Sequence, residues 1–389
     1  MRIAIVADDL YPGFGGQAVG TERWIRGLIS QGHEIRVLAG EDKSPSVAPQ
    51  GVKLCRVPAW QPGDVQTRFA WPSYPEIDKL LTWADIVYVP TPTFLPLLTC
   101  RIAKLRQIPV IVGFHTQIES ATWHFQQIEP LVAAVLKTWY RMLHKNCDAI
   151  IAPSPFAARW ASRLSDVPVY AISCGIDWPK FDESLQHEAK QLREKLLAEK
   201  KYLLCYVGRL APEKRPQDLL KLAHYLPEDS YLAVAGKGPM LEELQEEVKE
   251  KKLSKSISFL GYINEREKAK LFLASDVFIM PSPTELLSIA TLEAMAHGCV
   301  PLVADYPSSA VTEVVGEAGL VYQADQLETA RQALNKLFKD EGYFQEMQQR
   351  ARALAKTHDI EQLVRDIERI FQHYIEHYQH KHDAKIPKG

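Results

Sequence analysis

The chain has 389 residues, 46% of them apolar and 24% charged, with a net charge of -2. That length suits two globular domains, and the near-neutral balance gives no reason to expect nucleic acid as a partner. No apolar run approaches the roughly 18–20 residues that cross a bilayer, and Cys55, Cys100, Cys147, Cys174, Cys205 and Cys299 form no CxxC pair, so they read as reduced core thiols of a cytosolic protein.

The N-terminus runs straight into a strand pattern and does not read as a signal peptide. Short β-branched runs follow at 2–8, 34–40, 85–90, 109–115 and 149–154, and again at 202–209, 230–238, 257–262, 277–282 and 300–305. Near-continuous apolar runs of this kind suit parallel strands buried on both faces. Helical segments between them, such as 23–32 ending at Gly32, complete βαβ units. The expected organisation is an N-terminal Rossmann-like domain over 1–180 and a second over 181–357. Residues 180–201 are charged and read as a crossing plus the first helix of the second domain. An amphipathic helix over 358–380 is expected to cross back to the N-terminal domain, ahead of a frayed tail at 381–389.

The chemistry is concentrated in the second half. Gly208, Arg209 and Lys214 lie just past a predicted strand, where open α/β sheets bind ligands. Two cations there suit a diphosphate. Glu285 and Glu293 follow, eight residues apart. Ser288 is placed to cap a helix running to Ala296, with Gly298 closing it. The amides of Leu287, Ser288 and Ile289 would then form an anion site. Glu293 could take the two hydroxyls of a ribose, and Glu285 would face the sugar.

The run GRLAPEK, then AGKGP (235–239), FLGY (259–262) and E-x7-E followed by LEAMAHGCVPLVA resembles the donor domain of family-4 retaining GT-B glycosyltransferases. The resemblance covers nearly the whole chain. It implies an α/β GT-B fold, with two Rossmann-like parallel-sheet domains, 1–180 binding the acceptor and 181–357 the nucleotide-sugar donor, facing a cleft that closes over the substrates. It implies that Arg209 and Lys214 hold the donor diphosphate, that Gly236 and Gly238 line the nucleotide pocket, and that the chain near Tyr262 lies against the base. Glu293 would hold the ribose and Glu285 the donor sugar. Family members carry a Gly-Phe-Gly-Leu-like run after the first Glu; here it is Leu286, Leu287, Ser288 and Ile289.

In the first half, Gly15 and Gly16 resemble the family's Gly-Gly loop, which lets the backbone approach the donor diphosphate. The same stretch also matches G-x-G-x-x-A through Gly13, Gly15 and Ala18, although Asp8 to Pro12 separate it from the strand. His115 ends a strand and, by resemblance, contacts the donor sugar near the reacting carbon. Cys174 stands where the family's hinge usually has Asn, whereas Asp177 and Phe181 match.

Three blocks resemble the glycolipid-synthesising subgroup of diacylglycerol, sulfoquinovosyl diacylglycerol and phosphatidylinositol glycosyltransferases. They are 57–77, containing Arg68, 91–98, and the segment after His115 through Trp123. Trp60, Phe69, Trp71 and Tyr74, with Trp139 and Arg141 further on, combine aromatics and cations as a membrane interface does. The expected function is retaining, metal-independent hexosyl transfer without a cofactor. The donor would be a nucleotide-diphosphate sugar with UDP as its nucleotide, and the acceptor a lipid such as diacylglycerol. The location would be cytoplasmic, on the membrane's inner face. Transfer to a sugar or polyprenyl-linked acceptor in capsule or exopolysaccharide assembly, a nucleotide-sugar epimerase, a non-catalytic binding subunit and an NAD-dependent enzyme stand as alternatives.

Overall fold

The computed structural model describes residues 1–10, 15–41, 48–61, 68–118 and 129–383. Contacts divide the chain into two compact units, Met1–Gly175 with Ile360–Gly389, and Ile176–Asp359.

The first unit runs β1 (Arg2–Ala7), α1 (Gly15–Ser30), β2 (Glu34–Gly40), β3 (Val52–Val57), β4 (Ala59–Trp60), β5 (Phe69–Ala70), α2 (Tyr74–Trp83), β6 (Ile86–Val89), α3 (Phe94–Leu105), β7 (Val110–Gly113), α4 (Glu129–His144), β8 (Ala149–Ala152), α5 (Pro155–Ser162) and β9 (Val169–Ala171). Its main sheet has the order β3-β2-β1-β6-β7-β8-β9, with every pairing parallel. All residues of β6, β7 and β8 are buried, which is why these strands read as unbroken apolar runs. The strand order reverses between β1 and β6, so a crevice is expected outside their carboxyl ends. β4 and β5 form a separate antiparallel ribbon.

The second unit runs α6 (Glu183–Leu197), β10 (Tyr202–Val207), α7 (Gln217–Tyr225), β11 (Ser230–Ala235), α8 (Leu241–Glu250), β12 (Ile257–Gly261), α9 (Glu265–Ala274), β13 (Val277–Met280), α10 (Ile289–Ala296), β14 (Val300–Asp305), α11 (Val311–Val315), β15 (Leu320–Gln323), α12 (Glu328–Lys339) and α13 (Glu341–Lys356). The sheet order is β12-β11-β10-β13-β14-β15, again all parallel. Its order reverses between β10 and β13.

The last helix, α14 (Ile360–Asp383), belongs to the first unit. Ile360, Val364, Ile367, Phe371 and Tyr374 join Trp24, Ile25 and Leu28 of α1 in one core cluster. A side chain at Gly27 would lie 2.2 Å from Val364, so only glycine lets the two helices approach so closely. Tyr378 donates to Asp148 at 2.7 Å, and His33 lies 3.0 Å from Glu368. Residues 384–389 of the expected frayed tail lie outside the described residues. Among the described residues no helix is long and apolar enough to cross a membrane.

Candidate active site

In the second unit the sequence candidates gather where the strand order reverses. The chain leaves β10 through Gly208 and Arg209 into a short turn, Pro212–Lys214. It leaves β13 into 281–288. The two segments are tied together, because Lys214 Nζ lies 2.6 Å from Glu285 Oε1 and donates to the Thr284 carbonyl at 3.3 Å. Thr284 in turn donates to the Glu213 carbonyl. Arg209 lies 3.5 Å from Glu213 and keeps a partly exposed guanidinium.

The glycines here serve backbone packing. A Cβ on Gly236 would stand 1.8 Å from the Gly208 carbonyl oxygen, and one on Gly238 would stand 2.1 Å from that of Leu210. The loops after β10 and β11 therefore pass backbone against backbone, joined by Leu210 N–H to the Lys237 carbonyl. Tyr262 is 67% exposed, with Lys237 Nζ 4.8 Å from its ring centre.

α10 begins at Ile289, where the sequence places it. Ser288 occupies the cap position but does not cap. Its backbone is left-handed, at φ 66°, and its hydroxyl pairs with Thr291 Oγ1 at 2.7 Å rather than with a helix amide. That backbone is one that glycine adopts without strain, as in the Gly-Phe-Gly-Leu-like run of the family the sequence resembles. Leu286 and Leu287 turn into the core, so their bulk does not stand at the loop's face. Glu293, expected to wait for a ribose, is buried and pairs with Lys268 of α9 at 2.8 Å. Burial disfavours the Lys268 charge, yet Glu293 and Glu265 outweigh that and raise its pKa. Sequence reasoning missed Lys268, since nothing in α9 distinguishes it from the helix's other lysine, Lys270.

In the first unit, α1 starts at Gly15, ahead of the expected 23. Gly15 and Gly16 thus form the helix's first turn, with Gly15 at φ 78°. Gly13 and Trp123 lie outside the described residues. His115 follows β7, with its ring enclosed by Tyr88, Trp24 and Cys174. Nε2 lies 2.9 Å from the Tyr88 hydroxyl and Nδ1 lies 3.9 Å from Cys174 Sγ. Gly113 makes room for this pair, since a Cβ there would touch both at under 3 Å. Burial pushes the His115 pKa down to about 4, so it is neutral at pH 7. Cys174, pushed up to about 12 by burial, stays a thiol.

The acceptor-side candidates differ in their surroundings. Arg68 is 3% exposed and donates twice to Asp9 Oδ1, at 3.1 and 2.7 Å, so it is no surface cation. Phe69 is half-buried in β5, and Trp139 is half-buried edge-on against Phe94. Trp60 and Trp71 are 58% and 63% exposed, and Arg141 is exposed.

His144 is buried, with neither ring nitrogen in a hydrogen bond. Its pKa, like that of His115, is pushed down to about 4 by burial. The stability these groups contribute is complete above their ordinary value of 6.5 and is lost as pH falls toward about 4. Unfolding temperature is expected to fall over that window. His144→Gln should flatten part of the fall, and an unchanged profile would contradict the assignment.

Both parallel sheets reverse their strand order once, and a paired lysine and glutamate stand at the reversal point of the second, where such sheets bind ligands. Residues 14–178 match the model described as Glycosyltransferase Family 4, and residues 188–358 match Glycosyl transferases group 1. The chain is 30% identical over 319 residues to an alpha-monoglucosyldiacylglycerol synthase of Streptococcus pneumoniae, covering 78% of this chain and 71% of that one. It is 26% identical over 311 residues to a GDP-mannose-dependent alpha-mannosyltransferase of Mycobacterium tuberculosis, covering 78% and 79%. Among solved structures, Anabaena HepE in complex with UDP-glucose superposes with a TM-score of 0.74 at 16% identity, over 96% of this chain and 100% of that one. The chain belongs to the family-4, group-1 glycosyltransferases.

Proposed function

We propose that the chain is a retaining hexosyltransferase that takes its sugar from UDP and places it on a membrane lipid at the cytoplasmic face. The observation that carries the donor half is the Lys214–Glu285 pair at the reversal point of the second sheet. In this reading Lys214 and Arg209 offset the charge that grows on the leaving diphosphate, and the amides of residues 287–289 add to it, in place of a metal ion. Glu285 holds the sugar hydroxyls. The bond from the anomeric carbon to the diphosphate oxygen breaks, the acceptor oxygen bonds that carbon on the same face, and its proton passes to the leaving phosphate. Anabaena HepE is seen in complex with UDP-glucose and the mycobacterial relative is GDP-mannose-dependent, so the base is the first thing to test.

The lipid half is supported by the first unit's surface. Trp60, Trp71, Tyr74 and Phe94 are exposed. On α4 an apolar stripe of Leu131, Val135 and Met142 is exposed beside Lys137, Arg141 and Lys145. Aromatic side chains and snorkelling cations suit a headgroup layer.

The reading is tested by offering labelled UDP-glucose, UDP-galactose and GDP-mannose with diacylglycerol in mixed micelles. Label in the organic phase supports it. Nucleotide release without lipid label moves the acceptor to a sugar or polyprenyl-linked sugar. In parallel, Trp60→Ser with Trp71→Ser is expected to lower binding to anionic vesicles at least tenfold, by about 1.4 kcal/mol or more. Unchanged cosedimentation would remove the membrane from the proposal.

A further inference from the structure

Four of the chain's 12 histidines fall within ten positions near its end, at His373, His377, His380 and His382. The proposed transfer uses none of them. The first three share one face of α14, and all three are exposed. At about 100° per residue, positions 373, 377 and 380 fall within roughly 60° of arc. The His373 and His377 rings lie near-parallel, 20° apart in plane, with centroids 6.5 Å apart. Each also stands edge-on to a tyrosine that anchors the helix. His373 meets the buried Tyr374, and His377 meets Tyr378, the donor to Asp148.

Rings this exposed do no core packing, and histidines that merely face water need no common register. Exposed imidazoles at i and i+4 are neighbours on a helix and can chelate. Modest side-chain rotation brings one nitrogen from each to a shared ion at about 2.0–2.1 Å. Imidazole selects the ion, because zinc, copper and nickel accept nitrogen whereas magnesium and calcium take oxygen. Among the described residues no three metal-ligating side chains already stand together. The protein therefore supplies two ligands and water the others, which makes an exchangeable site rather than a closed structural one. From 373 to 380 the helix rises roughly 10 Å, too far for one ion to hold both ends.

We propose that His373 and His377 form a surface site on α14 for a divalent transition-metal ion that prefers imidazole, such as zinc. Bound there, the ion staples one turn of the helix beside Tyr374 and Tyr378. It thus acts on the helix that closes the first unit's core and not on the transfer chemistry.

The full chain, carrying no histidine tag, is titrated with zinc chloride and separately with magnesium chloride by calorimetry. Saturable binding of zinc and none of magnesium is expected. His373→Ala and His377→Ala should each weaken zinc binding about tenfold or more, and His380→Ala less than about threefold. Alanine is the best helix former and the three positions are exposed, so the variants keep α14, which circular dichroism without metal checks. Zinc should raise the unfolding temperature of the wild type and leave that of His377→Ala unchanged. No saturable zinc binding, binding retained in His377→Ala, or magnesium binding as well as zinc would overturn the site. A His380→Ala loss as large as that of His373→Ala would overturn the assigned pair. Zinc binding that leaves the wild-type unfolding temperature unmoved would overturn the staple.

Discussion

Lys214→Ala is expected to lower kcat/KM by about 100- to 1000-fold, the usual cost of removing one preorganised charge from a developing oxyanion. The residue does two things in the structure. It presents a cation at the mouth of β10, and it fixes Glu285 at 2.6 Å. Its removal therefore takes away the diphosphate's counter-charge and releases the carboxylate proposed to hold the sugar. Lys214→Arg keeps the charge but not the point geometry, so it should recover only part of the rate. Glu285→Ala, made alone and with Lys214→Ala, closes a double-mutant cycle. Residues acting as a unit give a double variant little worse than either single one. Steady-state kinetics beside an unfolding scan separates catalysis from folding. A Lys214→Ala enzyme within threefold of wild type would remove both residues from the proposed roles.

Gly236→Ala is expected to be the most damaging single methyl in the second unit. The added carbon would stand 1.8 Å from the Gly208 carbonyl oxygen, at a backbone φ of +151°. A side-chain clash can be relieved by a rotamer change, but two backbones meeting have no such escape. The loops after β10 and β11 must separate, and with them Arg209 and the chain leading to Tyr262. A loss of about 3 kcal/mol or more follows, or roughly 6–12 °C for a unit of this size. Gly261→Ala is the control, with φ +71° but nothing within 4 Å of the added carbon. It should cost only about 1 kcal/mol. Calorimetry that found the two variants alike would show that strain, and not contact, sets the effect.

The legible strands and the missed ones differ in a physical way. The interior strands β1, β6, β7 and β8 are apolar on both faces and declare themselves in the sequence. The strands that escaped, β3, β9 and β15 of the two main sheets and β4 and β5 of the ribbon, all stand at a sheet edge. There half the side chains meet water, as in the alternating burial of Leu320–Gln323, and the apolar run dissolves. The site shows the same division. Gly208, Arg209, Lys214, Glu285 and Glu293 lie in contiguous motifs, so the sequence alone nominates them. Their partners were not, because Lys268 reaches Glu293 from another helix, and Arg68 meets Asp9 across 59 positions of chain. Pairing over that distance is a property of the fold and leaves no local trace.

The first unit's core is closed by α14, drawn from residues made after the whole of the second unit. On the ribosome, the strands of that unit emerge long before Ile360, and until then the surface of α1 around Trp24 and Leu28 has no cover. The second unit, continuous from Ile176 to Asp359, has all its parts in hand earlier. Synthesis thus inverts the printed order, since the unit translated second can finish folding first. A nascent chain stalled before residue 360 should carry a protease-resistant second unit beside a first unit that is still cleavable.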